Sequence, residues 1–85
     1  MTNEKMTDEE RAIWDKLNSY YKENKNVHIL LKKVNNKGEN IFLNGELLFP
    51  ATERVWVLKE RKLGEIRIAI SEIKFVEEER DGRFS

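Results

Sequence analysis

Between residues 63 and 77 the sequence alternates charged and apolar residues and then shifts its phase by one position. The apolar side chains of the first part fall on one side of the chain: Ile66, Ile68 and Ile70. In the second part, Ile73 and Phe75 are predicted to point inward. A period of two residues indicates a half-buried β-strand, and a phase shift between two apolar sets indicates a bend or a bulge. We therefore predict two strands joined by a sharp corner at Ser71, as in small closed barrels.

An α-helix is predicted over residues 7–25. Thr7 and Glu10 have the spacing of a capping box, and the acidic residues of the first turn are favoured by the helix dipole. Apolar side chains then recur at helical spacing and form one stripe: Ile13, Trp14, Leu17, Tyr20 and Tyr21. The asparagines at positions 24 and 26 are poor helix residues and end the helix. Because a helix of this length is marginal alone, its stripe must pack on another element.

Three further strands are predicted between the helix and the bent stretch. Residues 27–34 form the first strand and the Asn-Asn-Lys-Gly cluster at 35–38 forms a turn. The second strand covers residues 40–48 and carries Gly45, which indicates a strong bend or a close approach of two backbones. Pro50 has no amide hydrogen, so residues 49–52 are predicted to be a loop. The third strand, residues 54–59, leads into a turn that ends at Gly64, with positive φ.

The predicted fold is mainly β with one N-terminal α-helix: a small, strongly bent, five-stranded antiparallel barrel. The helix and the barrel, residues 27–79, make one domain over residues 7–79. Residues 1–6 and 80–85 are predicted to be disordered or frayed because they are polar or charged ends. With 85 residues, of which 39% are hydrophobic, the domain has a small core, and self-association would add buried surface.

Composition restricts the possible functions. The 16 basic and 16 acidic residues give no net charge, so no global field attracts nucleic acid or an anionic membrane. Cysteine is absent, which excludes disulfides and thiolate metal sites. No apolar run has the length of a membrane span and no signal-peptide pattern is present, so a cytoplasmic location is predicted. His28 alone and the acidic run from Glu77 to Asp81 lack metal-site spacing, and no cofactor or catalytic motif occurs.

Three short segments share a pattern with a known superfamily. Residues 43–47 read Leu-Asn-Gly-Glu-Leu, residues 63–66 read Leu-Gly-Glu-Ile ahead of Ile68 and Ile73, and residues 69–71 read Ala-Ile-Ser. The first two resemble the two motifs of the Sm-like superfamily (Sm, archaeal Sm-like and bacterial Hfq-type proteins), and the third is similar to an Hfq-type segment. The resemblance spans roughly residues 10 to 77. It implies a homo-oligomeric ring, closed through the edges of the fourth and fifth strands, that binds RNA.

The positions that would bind a base in this superfamily differ in this chain. The archaeal and eukaryotic pattern has Arg-Gly where Ala69 and Ile70 stand. Against the Hfq-type pattern, Arg67 matches a basic residue in charge only, and Ile68 stands in place of a histidine. Uridine-specific binding is therefore not predicted.

Basic residues around the two hairpins are the candidate RNA-binding residues: Lys32, Lys33, Lys37, Arg54, Lys59, Arg61, Lys62 and Arg67. Aligned hairpin tips would follow a phosphate backbone, although interleaved glutamates weaken the local field. The aromatic residues of the helix and Trp56 are either stacking platforms for bases or packing residues, and their place in apolar segments favours packing.

Two non-enzymatic functions are predicted. The first is an Sm-like RNA-binding or RNA-chaperone-type homo-oligomeric ring with weak sequence preference. The second is a protein-interaction or assembly module that keeps the barrel and has lost the RNA site, as Ala69 and Ile70 indicate. A small-ligand sensor has no dedicated residues to support it.

Overall fold

One helix and five strands make up the fold in the computed structural model, which describes residues 6–79. The elements are α1 (Asp8–Lys22), β1 (Asn26–Val34), β2 (Asn40–Thr52), β3 (Val55–Glu60), β4 (Gly64–Ala69) and β5 (Ile73–Glu78), with a 3₁₀ turn at Ile70–Glu72. The prediction of a mainly β fold with one N-terminal helix is confirmed. The end segments predicted to be disordered or frayed, residues 1–6 and 80–85, lie outside the described residues except for Met6.

A capping box marks the start of α1, and a left-handed residue follows its end. The Thr7 hydroxyl accepts a hydrogen bond from the Glu10 backbone N–H at 3.1 Å, and the Glu10 carboxylate accepts one from the Thr7 N–H at 3.1 Å. This capping box satisfies two amides that have no partner within the helix. Beyond the other end, Asn24 has φ 58°, a left-handed conformation that stops helical continuation. The helix is therefore shorter than the predicted range 7–25.

The long strand β2 joins two halves of one antiparallel sheet, whose order is β4-β3-β2-β1-β5. Its first part, up to Glu46, pairs with β1, and its second part, from Gly45, pairs with β3. At this junction a Cβ on Gly45 would lie 2.1 Å from the Lys59 carbonyl oxygen. The absence of a side chain at Gly45 lets the two backbones approach this closely.

The prediction of a loop over residues 49–52 is wrong, because β2 continues to Thr52. Pro50 lies opposite Trp56, and Thr52 lies opposite Val55. The first residue of β1 lies opposite Glu46, so the last part of β2 has a neighbouring strand on one side only among residues 6–79. A proline is tolerated there because a one-sided strand needs fewer ladder hydrogen bonds.

A bulge in β5 reverses the predicted orientation of one aromatic residue. Leu30 lies opposite Phe75 and Leu31 lies opposite Ile73, which leaves Lys74 as an extra residue. The extra residue places Phe75 on the outer face, where it is 40% exposed, and Val76 in the core. The prediction that Phe75 points inward is therefore wrong, whereas Ile73 is fully buried as predicted.

Strands β4 and β5 are the two edges of the sheet, and no hydrogen-bonded pairing joins them within residues 6–79. The predicted barrel is thus not closed by hydrogen bonds. Both halves of the sheet and α1 nevertheless contribute to one buried cluster. Within it, the centroid of the fully buried Trp56 ring lies 5.6 Å from that of Trp14 and 5.4 Å from that of Tyr21. These contacts support the packing interpretation of the aromatic stripe.

Candidate functional site

Glu60 is the only buried charged side chain in the described part of the chain, with 7% exposure. Its carboxylate accepts hydrogen bonds from the backbone N–H groups of Asn44 at 3.1 Å, Lys62 at 2.7 Å and Leu63 at 2.9 Å. Burial raises the pKa of this carboxyl, but these hydrogen bonds lower it further than burial raises it, with help from the Lys62 ammonium. Glu60 therefore fixes the hairpin between β3 and β4, which ends at Gly64 with φ 81°.

The basic residues of this second hairpin lie among acidic groups. Arg61 Nη1 is 2.7 Å from a carboxylate oxygen of Glu79. Lys59 and Arg61 line a crevice of about 230 Å³ together with Glu46 and Glu60. Lys62 follows directly and its backbone is held by Glu60. Nearby carboxylates therefore offset much of the positive potential that a phosphate would meet here.

Three exposed lysines lie on the first hairpin: Lys32 and Lys33 in β1, and Lys37 in the turn that follows. The Asn35 side-chain oxygen accepts hydrogen bonds from the backbone N–H groups of Lys37 at 2.8 Å and Glu39 at 2.9 Å. Gly38 has φ 79°, which completes the turn predicted over residues 35–38.

One cleft brings together basic residues from different strands. Lys33 of β1 and Arg67 of β4 border it, Glu72 lies beside them, and its volume is about 270 Å³. The remaining lining residues are apolar: Leu31, Ile41, Leu43, Leu63, Ile66 and Ile68. Leu63, at the tip of the second hairpin, is 64% exposed. This cleft runs along β4, at an open edge of the sheet.

Arg54 lies apart from the other predicted RNA-binding residues. It follows β2, in the turn before β3, and its Nη1 is 3.7 Å from the Glu10 carboxylate of α1. Lys32 also lies near α1, in a crevice that Glu9, Glu10 and Lys74 line. The eight predicted residues are therefore distributed over several surfaces of the domain.

Sequence reasoning misses an apolar row on the outer face of the sheet. Phe42 of β2 and Phe75 of β5 each lie opposite Leu30 of β1, so the three side chains cross three adjacent strands. The His28 ring stacks on Phe42 with centroids 4.7 Å apart and is hydrogen-bonded to the Asn44 side-chain oxygen. Phe42 could have been found, because it is out of phase with the inward residues of β2. The bulge that turns Phe75 outward has no local signal.

Comparisons with known proteins add no relative: no family model, no curated protein and no solved structure matches this chain. Within residues 6–79 no group of three or more metal-ligating side chains comes together. The same part of the chain contains no helix long and apolar enough to cross a membrane. The candidate sites are therefore the open edges, the cleft beside β4 and the outer row.

Proposed function

We propose that this protein is a non-enzymatic assembly module that forms a homo-oligomeric ring. In the ring, β4 of one copy pairs with β5 of the next. The observation that carries the proposal is that the sheet ends in two edge strands, β4 and β5, each of which is paired on one side only among residues 6–79. An unpaired strand presents a row of backbone donors and acceptors to any strand that can align with it. Head-to-tail pairing closes into a ring when the rotation between copies permits it, and no edge then stays open.

The side chains beside β4 support the same assembly. The cleft along this strand leaves Leu63 mostly exposed and Ile66 partly exposed. The β5 strand of a neighbouring copy would cover this apolar surface and would extend the sheet beyond β4. The proposal combines the ring of the first function predicted from the sequence with the assembly role of the second. The distribution of basic residues over several surfaces favours assembly over RNA binding. The predicted cytoplasmic location is part of the proposal and fits a chain without cysteine.

Edge pairing predicts a particle of defined size and a defined pattern of amide protection. Sedimentation velocity and native mass spectrometry at tens of micromolar, where ordinary interfaces are occupied, should give one discrete oligomer. Hydrogen exchange should slow in β4 and β5 as concentration rises, and should stay unchanged in β1 and β2, which are paired within one chain. A monomer under these conditions, or protection that does not involve both edges, would contradict the proposal.

RNA binding with weak sequence preference is a second candidate function, favoured by the cleft beside β4. Lys33 and Arg67 both border this cleft, and neither forms an ion pair with another residue in the range 6–79. Two such cations can bind phosphate groups without first losing an internal partner.

The double substitution Lys33→Ala with Arg67→Ala tests this candidate. It should weaken binding of uridine-rich and adenine-rich single-stranded RNA at low salt about tenfold and reduce the salt slope of log K by about 1.4. The triple change of Lys59, Arg61 and Lys62 to alanine should have a smaller effect, because acidic groups already surround those residues. Lys16→Ala, on the exposed surface of α1, is the control. If the wild-type protein binds neither RNA at low salt, RNA binding is excluded as a function.

A further inference from the structure

Asn44 and Gly45 form a chemically reactive dipeptide at the Gly45 junction, the place where β2 pairs with β1 on one side and with β3 on the other. No other asparagine of the chain precedes a glycine. Because glycine has no Cβ, it leaves the preceding side chain open to attack by the next backbone nitrogen. A larger residue does not fit here, since a Cβ on Gly45 would lie 2.1 Å from the Lys59 carbonyl oxygen. The close approach of β2 and β3 therefore keeps a reactive dipeptide in the middle of the sheet.

Hydrogen bonds hold both the backbone and the side chain of Asn44. Its backbone N–H donates to the Glu60 carboxylate at 3.1 Å, and its carbonyl accepts from the Arg61 N–H at 2.9 Å. Its side-chain oxygen accepts a hydrogen bond from Nδ1 of His28, the residue opposite it in β1. Asn44 is therefore fixed in the extended conformation of β2.

The backbone nitrogen of Gly45 is also constrained by the sheet. Successive residues of a strand direct their N–H and C=O groups to opposite sides. Those of Asn44 point toward the second hairpin, so those of Gly45 point toward β1, where Val27 lies opposite. A ring between the Gly45 nitrogen and the Asn44 side chain can close only if the backbone rotates out of the extended conformation and this pairing is lost. The intact sheet therefore keeps the two groups from reacting.

We propose that Asn44 is a deamidation site whose reaction is controlled by opening of the Gly45 junction. When the junction opens, the Gly45 nitrogen attacks the side-chain carbonyl carbon of Asn44. A C–N bond forms, the bond to the side-chain amide nitrogen breaks, and ammonia leaves with the proton from the Gly45 nitrogen. Water then opens the five-membered imide at either of its carbonyl groups and gives aspartate or isoaspartate at position 44.

Both products disturb the junction at which they form. Each places a second carboxylate near Glu60, whose own carboxylate accepts the Asn44 N–H. Isoaspartate also adds a methylene group to the main chain, which shifts the later residues of β2 against their partners. A chain that has opened and reacted therefore does not regain the same sheet, and Asn44 limits the lifetime of the folded domain. The reaction does not depend on assembly, because β2 has a partner on each side of Gly45 within one chain.

Deamidation rates test the control by the junction. The full chain is incubated at neutral pH, and peptide mass spectrometry measures the reaction at each asparagine. Asn44 should react at least about tenfold faster in guanidinium chloride than in the folded protein, because unfolding removes every constraint. In the folded protein, Glu60→Gln should speed the reaction about tenfold, since a backbone amide loses its acceptor. Glu46→Gln, at an exposed residue of the same strand, is the matched control and should leave the rate unchanged. Equal rates in folded and unfolded protein, or no response to Glu60→Gln, would overturn the proposal.

The stability of the reacted protein tests the consequence. Ion exchange separates this protein, because it carries one more negative charge than the unreacted chain. Its urea midpoint should be lower than that of the unreacted protein. Asn44→Asp has the charge without the longer main chain, so its midpoint should fall less than that of the isoaspartate product. Equal midpoints for reacted and unreacted protein would overturn the role of Asn44 in limiting the lifetime of the fold.

Discussion

Replacing Gly45 with alanine is expected to lower the free energy of unfolding by about 3 kcal/mol. A Cβ at this position would lie 2.1 Å from the Lys59 carbonyl oxygen and 2.9 Å from the Glu60 Cα, both of which belong to the backbone of β3. A flexible side chain could move away, but a paired strand moves only by disturbing its ladder. A domain of this size has a total stability of about 5–10 kcal/mol, so the loss is a large fraction of it. Urea unfolding followed by tryptophan fluorescence measures the change.

Gly38→Ala is the matched control for this experiment. Gly38 has φ 79°, and a Cβ there would meet no heavy atom within 4 Å. Its substitution should cost about 1 kcal/mol, from the left-handed backbone conformation alone. If Gly45→Ala costs no more than Gly38→Ala, β2 and β3 are not held as closely together as the structure indicates.

Local signals in the sequence predict the secondary structure well where a single interaction decides it. The capping box of Thr7 and Glu10 fixes the start of α1, and both side chains lie within one helical turn. The same holds for the turn at residues 35–38, which Asn35 organises through neighbouring amides. Such features need no knowledge of the remaining fold.

The two wrong predictions in the sheet depend on strands that are distant in the sequence. Pro50 is compatible with β2 because β1 pairs with β2 only up to Glu46. No β1 residue lies beside Pro50 to accept a hydrogen bond from a backbone amide there. Phe75 faces outward because the pairing of β5 with β1 skips Lys74. Alternation along one strand cannot reveal either effect, since each arises from the register between two strands.

Candidate sites are harder to predict than elements for the same reason. The sequence identifies the basic residues, but not that Arg61 contacts Glu79 or that Arg54 contacts Glu10. It also treats Glu60 as one of several glutamates that weaken a basic patch. The structure instead makes this residue an acceptor for three backbone amides. Charges become functional or structural according to their neighbours, and those neighbours are set by the fold.

Replacing Glu60 with glutamine is expected to lower the free energy of unfolding at neutral pH by about 2 kcal/mol. The amide nitrogen of glutamine cannot accept a hydrogen bond, so at least one of the three backbone N–H groups loses its partner. Glu46→Gln is the control, because Glu46 is exposed and lines the same crevice. Its effect should stay within about 0.5 kcal/mol. Equal effects of the two substitutions would show that the hydrogen bonds to Glu60 contribute little.

The stabilisation by Glu60 is expected to disappear in acid. Burial raises the pKa of its carboxyl, but the hydrogen bonds from the Asn44, Leu63 and Lys62 backbones lower it more, so the folded-state pKa lies below the ordinary value. In the unfolded chain the pKa is about 4.3, so the stabilisation is fully present above that pH and is lost as the pH falls through the lower folded-state value. The difference in unfolding free energy between wild type and Glu60→Gln should therefore stay constant down to about pH 5 and shrink below about pH 4. A difference that grows in acid would mean that the folded state binds the proton more tightly than the unfolded chain, which is incompatible with three amides donating to a carboxylate.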